Sequence, residues 1–234
     1  MRVQLQYAQV EAALVSLNQI ADSKLGAFRA RLRHLRVKGL PEGTNTGKGQ
    51  RATFSALSYL QMVLATELMQ VGFSPSRIVK MIKGNWYNLE FDALVALSDQ
   101  DYLDQLQPPI SLDQREFAWT FSAEALRDLS FNGDGEYDYH DAIVSVPLSQ
   151  LSEVINSSFI YQEDKTFPIV GEPWRTVVIN GSALIVMAIG TLIVQNEDIS
   201  REDVWSDIRD HLVERGRRLE ELSKLFHERS SSGS

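Results

Sequence analysis

The sequence contains no cysteine. That excludes a disulfide framework, thiolate catalysis and thiolate metal sites, and it suits a reducing cytoplasm. Residues 1–20 hold no charged start followed by an apolar run, so no signal peptide is expected. Long apolar runs are missing as well. The longest, ALIVMAIGTLIV at 183–194, is too short to cross a bilayer, and no membrane partner is expected. His34, His140, His211 and His227 are scattered, with no HExxH or HxH spacing, and there is no GxSxG. These absences argue against an enzyme and against a bound cofactor.

What is present belongs to a soluble globular chain. Of 234 residues, 44% are hydrophobic and 23% charged, enough for one large domain or two small ones with a real core. The net charge of −8 is unevenly spread. Residues 1–85 carry 12 Lys/Arg against 4 Asp/Glu, and residues 86–234 carry 11 against 27. A basic front and an acidic back point to a nucleic-acid module joined to a module with another task.

The basic front centres on residues 26–54. Phe28, Leu32 and Leu35 fall at i, i+4 and i+7, which predicts a helix with one apolar stripe. Arg29, Arg33 and Arg36 repeat the same spacing on another face, with Arg31 and Lys38 beside them. Gly39 and Pro41 stop this helix, and a Gly-rich loop with Lys48 and Arg51 follows. A helix anchored on one side and basic on the other suits the major groove, with the loop on flanking phosphates. A solvated basic helix on an ordinary domain is the other reading. GTNTGKGQ at 43–50 is no phosphate-binding P-loop, because three residues rather than four separate Gly43 from Gly47 and Gly49 follows Lys48.

Helical spacing also predicts a helix over 7–21 on Val10, Leu14, Leu17 and Ala21, and one from Thr53 as N-cap to about Val71. Ser74-Pro75 starts a shorter helix through Met81 and Ile82. Gly26, Gly39-Leu40-Pro41, the Gly49 to Phe54 stretch and Gly72-Phe73-Ser74-Pro75-Ser76-Arg77-Ile78 stand in an order and spacing that resembles the winged helix-turn-helix of MerR-type bacterial regulators. The resemblance covers about residues 16–83. It implies a recognition helix followed by a wing, double-stranded DNA as partner, and a homodimer paired through an antiparallel C-terminal helix.

The acidic back reads less sharply. Ser111 to Leu129 is expected to be helical. FNGDGEYDYHDA (131–142) fits a β-turn between two strand starts, or a weak calcium loop using Asn132, Asp134, Asp138 and Asp141. Residues 159–179 suit strands or an extended arm. For 183–194 a buried helix capped by Asn180 or Ser182 competes with a strand paired back on 175–179. Residues 199–228 form a charged amphipathic helix, which either pairs two subunits or closes its own domain.

The expected architecture is mainly α. It comprises a winged helix-turn-helix over 1–85, a boundary at 86–112, an acidic helix-rich domain with one or two short hairpins over 113–228, and a tail at 229–234. The expected function is that of a sequence-specific DNA-binding transcriptional regulator. Arg29 and Arg33 are the candidates for base edges; Arg31, Arg36, Lys38, Lys48 and Arg51 are those for phosphates. An adaptor or antirepressor that meets a protein partner, or an excisionase-like architectural factor, would use the same features.

Overall fold

Residues 3–42, 44, 52–122, 142–153 and 176–231 are described in a computed structural model, the last helix with side chains to Arg218. The described chain is mainly helical with two small antiparallel sheets. The calcium-like loop 130–141 and the arm 159–175 lie outside the described residues.

Strand β1 (Leu5–Gln6) leads directly into α1 (Tyr7–Leu17), and a 3-10 turn at Asp22–Lys24 leads into α2 (Leu25–Val37). Val10 and Leu14 are buried as the spacing predicts, whereas Ala21 is exposed, because the helix ends four residues earlier. Thr53 is not an N-cap. It belongs to β2 (Thr53–Phe54), which pairs antiparallel with β1 as Leu5↔Phe54 and Gln6↔Thr53. The cap of α3 (Ala56–Gln70) is Ser55, whose side chain accepts the Ser58 N–H. A long-range strand pair thus claimed a residue that local cap chemistry favoured equally.

Ser74 and Pro75 start α4 as expected, but that helix runs to Leu97 (Pro75–Leu97) and crosses the boundary expected near 85. Ile78, Ile82, Leu89, Ala93 and Leu97 continue one buried stripe, and the exposed Gly84 falls outside it without ending the helix. After α5 (Gln100–Gln105) and the single turn α6 (Leu112–Arg115) comes β3 (Phe117–Ser122), where a helix was expected. β3 is central, in the order β4-β3-β5 with β4 (Val144–Pro147) and β5 (Thr176–Asn180). Phe117 through Phe121 are all buried, so the run shows no period of two, and periodicity cannot tell such a strand from a buried helix.

Asn180 then caps α7 (Gly181–Gln195) by accepting the Ala183 N–H at 3.0 Å, which decides for the helix over the strand. β5 pairs with β3 instead. Ile185, Ala188, Ile189 and Leu192 of α7 are buried, while Val186, Met187 and Val194 face solvent. The last helix, α8 (Arg201–Ser231), buries Val204 and Ile208 against its own chain, packing on α3, α4 and α7.

Buried apolar residues form one continuous core from Val3 to Ile208, drawn from both sides of residues 86–112. Polar contacts reinforce the joins. The Tyr59 hydroxyl, fully buried on α3, donates to the Ala188 carbonyl at 3.0 Å, and burial holds its pKa well above the usual phenol. The Ala56 N–H at the start of α3 donates to Asp207 of α8 at 3.2 Å. Glu90, 2% exposed, takes Arg215 at 2.7 Å and faces His211 at 3.5 Å, so its charge is met within the fold. Among the described residues no helix is long and apolar enough to cross a membrane.

Candidate nucleic-acid interface

α2 lies on the outside of the helical packing, with α4 and the preceding 3-10 turn as its main neighbours. Phe28, Leu32 and Leu35 are buried, as their spacing predicts, and fix the roll of the helix. Its end is a Schellman motif. Gly39 sits at φ 88°, its N–H donates to the Arg36 carbonyl at 2.9 Å, and the Leu40 N–H donates to the Leu35 carbonyl at 3.1 Å. Glycine is required there because a side chain strains at that φ.

With the apolar stripe fixed, a turn of 3.6 residues sets the order of the remaining side chains. Around the outer surface they run Arg36, Arg29, Arg33, Val37, Ala30, His34, Ala27, Lys38, Arg31. All but the half-buried Arg36 are exposed. Cations therefore border both flanks, and the uncharged Val37 and Ala30 occupy the middle, with Val37 74% exposed.

The cations differ in what holds them. Arg29 Nε donates to Glu11 Oε1 at 2.7 Å, linking α2 to α1. The Arg36 guanidinium lies 4.9 Å from the ring centre of Tyr7, the first residue of α1, and 6.0 Å from that of Phe54 in β2. Arg31, Arg33 and Lys38 are exposed and form no ion pair with a described residue. His34 is also exposed.

Lys48 and Arg51 lie outside the described residues. The ends of their loop are placed. On one side the Thr44 hydroxyl donates to the Pro41 carbonyl at 2.9 Å, and Glu42 pairs with Lys83 at 3.5 Å. On the other side Ala52 leads into β2, whose Phe54 ring is 6.0 Å from that of Tyr7. Both ends stand beside the C-terminal half of α2.

Sequence reasoning missed the partners Glu11, Tyr7 and Phe54. Glu11 had a signal, being one of four acids in the first 85 residues. The ring contacts had none, because they depend on a pairing of residues 5–6 with 53–54. No family model matches the chain, and no curated protein or solved structure matches it.

Proposed function

We propose that the chain is a sequence-specific DNA-binding transcriptional regulator, with α2 as the recognition helix of a MerR-like winged helix-turn-helix. One observation carries this reading. α2 is locked into the core by its apolar face, and its outer face offers Arg33, Arg31 and Lys38, which have no ion-pair partner among the described residues, around a small uncharged centre. Major-groove readers need such a face: apolar and small groups approach the bases while flanking cations reach phosphates. Arg33, nearest the middle, is assigned to a base edge. Arg31 and Lys38 are assigned to phosphates, as are Lys48 and Arg51 of the loop. Arg29 and Arg36 remain candidates that must first loosen a contact within the protein.

A reader with one recognition helix gains affinity by two-fold pairing on two half-sites, so the regulator is proposed to act as a homodimer. The exposed Val186, Met187 and Val194 on α7 give that pairing an apolar surface within the region beyond residue 112.

The test is anisotropy of the full chain on duplexes enriched from a random pool, repeated across salt. Neutralising several phosphates releases counterions, and the log–log slope is expected at roughly −3 to −6 per module. No enrichment, or an affinity indifferent to salt, overturns the DNA assignment.

A further inference from the structure

The far part of α4, away from α2, borders a separate cleft. There Asp92 faces a cleft of about 360 Å³ between α4, the segment after α5, and the edge of the β3–β4 pair. The walls are mostly apolar, from Phe91, Val95, Ile110, Phe117 and Pro147. Small-molecule pockets have this make-up, an apolar wall with few polar groups, at roughly 300–1,000 Å³.

The chemistry of Asp92 selects the ligand. Its Oδ2 accepts the Trp119 indole N–H at 2.8 Å, and the Ser145 hydroxyl is a further donor. Both are neutral, and among the described residues no cation acts on the carboxyl. Burial raises its pKa to about 6 against the ordinary 3.8. A carboxylate withdrawn from water is stabilised chiefly by an opposite charge, and the described residues supply one to Glu90 but none here. An apolar wall ending in a carboxylate without its counter-charge matches an organic ammonium: the tail covers the wall, and the head completes the pair.

We propose that the cleft lined by Phe91, Val95 and Phe117 binds a small organic cation with an apolar body, whose charged head pairs with Asp92. The site stands independently of the DNA assignment, since no residue of α2 lines it.

The experiment titrates the full chain with n-hexylammonium, n-hexanol and hexanoate at pH 8 by calorimetry. At that pH an alkylamine of ordinary basicity is charged. The three probes share one tail and differ in the head. The ammonium is expected to bind about ten- to a hundredfold more tightly than the alcohol, and hexanoate to bind least. Asp92→Asn keeps an acceptor for Trp119 and removes the charge, so the two heads should then bind within about threefold of each other. Equal affinity of the wild-type chain for ammonium and alcohol overturns the proposal, as does the absence of ammonium binding. A variant that keeps the full preference also overturns it. The comparison of heads on the wild-type chain decides even if the variant does not fold.

Discussion

Arg29 and Glu11 form an ion pair at 2.7 Å that joins the two helices flanking the first turn. One of the two arginines expected at base edges is thus partly neutralised before any partner arrives. Glu11→Gln should release it. Because Arg29 is half exposed, the stability cost is expected at about 0–1 kcal/mol. DNA affinity should rise at low salt, with the slope steeper by about one phosphate. Anisotropy at several salt concentrations measures this; an unchanged slope would place Arg29 off the DNA.

Arg33 and Arg36 lie three residues apart and should fail in different ways. Arg33→Ala removes an exposed side chain, so its melting temperature should match the parent, while the cognate duplex loses about 1–3 kcal/mol at one base position. Arg36→Ala removes a cation from the faces of Tyr7 and Phe54, at about 0.5–2 kcal/mol of stability. Melts and anisotropy together separate the two. If Arg33→Ala weakens all sequences alike, it touches phosphate and the reading residue lies elsewhere on α2.

Asp92 should make stability depend on pH. Its folded pKa of about 6 lies above the ordinary 3.8, so the folded state favours the protonated form. This contribution is complete below about pH 4 and is lost as the pH rises through about 6. A two-unit shift corresponds to about 3 kcal/mol, which partial exposure of the side chain reduces to about 1–2. Urea midpoints at pH 4.5 and 8 for the parent and Asp92→Asn test it. The variant should gain on the parent at the higher pH; parallel behaviour refutes the assignment.

Two glycine-to-alanine changes in helices should have opposite signs. A Cβ on Gly181 would lie 2.6 Å from Phe117 Cε2 and 2.9 Å from Trp119 Cδ2, a clash in a packed corner expected to cost about 1–3 kcal/mol. A Cβ on Gly216 meets nothing within 4 Å, so alanine there should stabilise by about 0.5–1 kcal/mol. Denaturant curves of the two single variants give the comparison directly.

Self-association through α7 has a plain test. Light scattering of the full chain is expected to return a dimer mass, and Met187→Asp, at a side chain 62% exposed, should return a monomer that still unfolds cooperatively. A monomeric parent, or a dimer untouched by the change, would move the pairing surface elsewhere.

Local chemistry was the legible part of this chain. The Phe28/Leu32/Leu35 stripe, the Gly39 stop, the Ser74-Pro75 start and the Asn180 cap each rest on residues close in sequence, and each appears in the fold. What escaped depends on distant partners. Thr53 is drawn into β2 by Gln6, and β3 was hidden because neighbours on both sides bury its whole length. α4 outran its expected end because burial on one face carried it past Gly84. At the candidate interface the residue types were legible, and which cations were already engaged was not. Asp92 gave no signal at all, since its significance comes from Trp119 twenty-seven positions away.

The unbroken course of α4 from Pro75 to Leu97 bears on how binding preference could be transplanted. A cut at residue 85 would divide this helix near its middle, separating Leu89, Ala93 and Leu97 from Ile78 and Ile82 of the same buried stripe. Cassette exchange of the front portion would therefore import half a rod and leave a mismatched seam against α7 and α8. Repainting is the workable route. Ala30, Arg31, Arg33, His34, Val37 and Lys38 are all exposed, so they can be randomised together on the intact chain, with Phe28, Leu32 and Leu35 left as the footing.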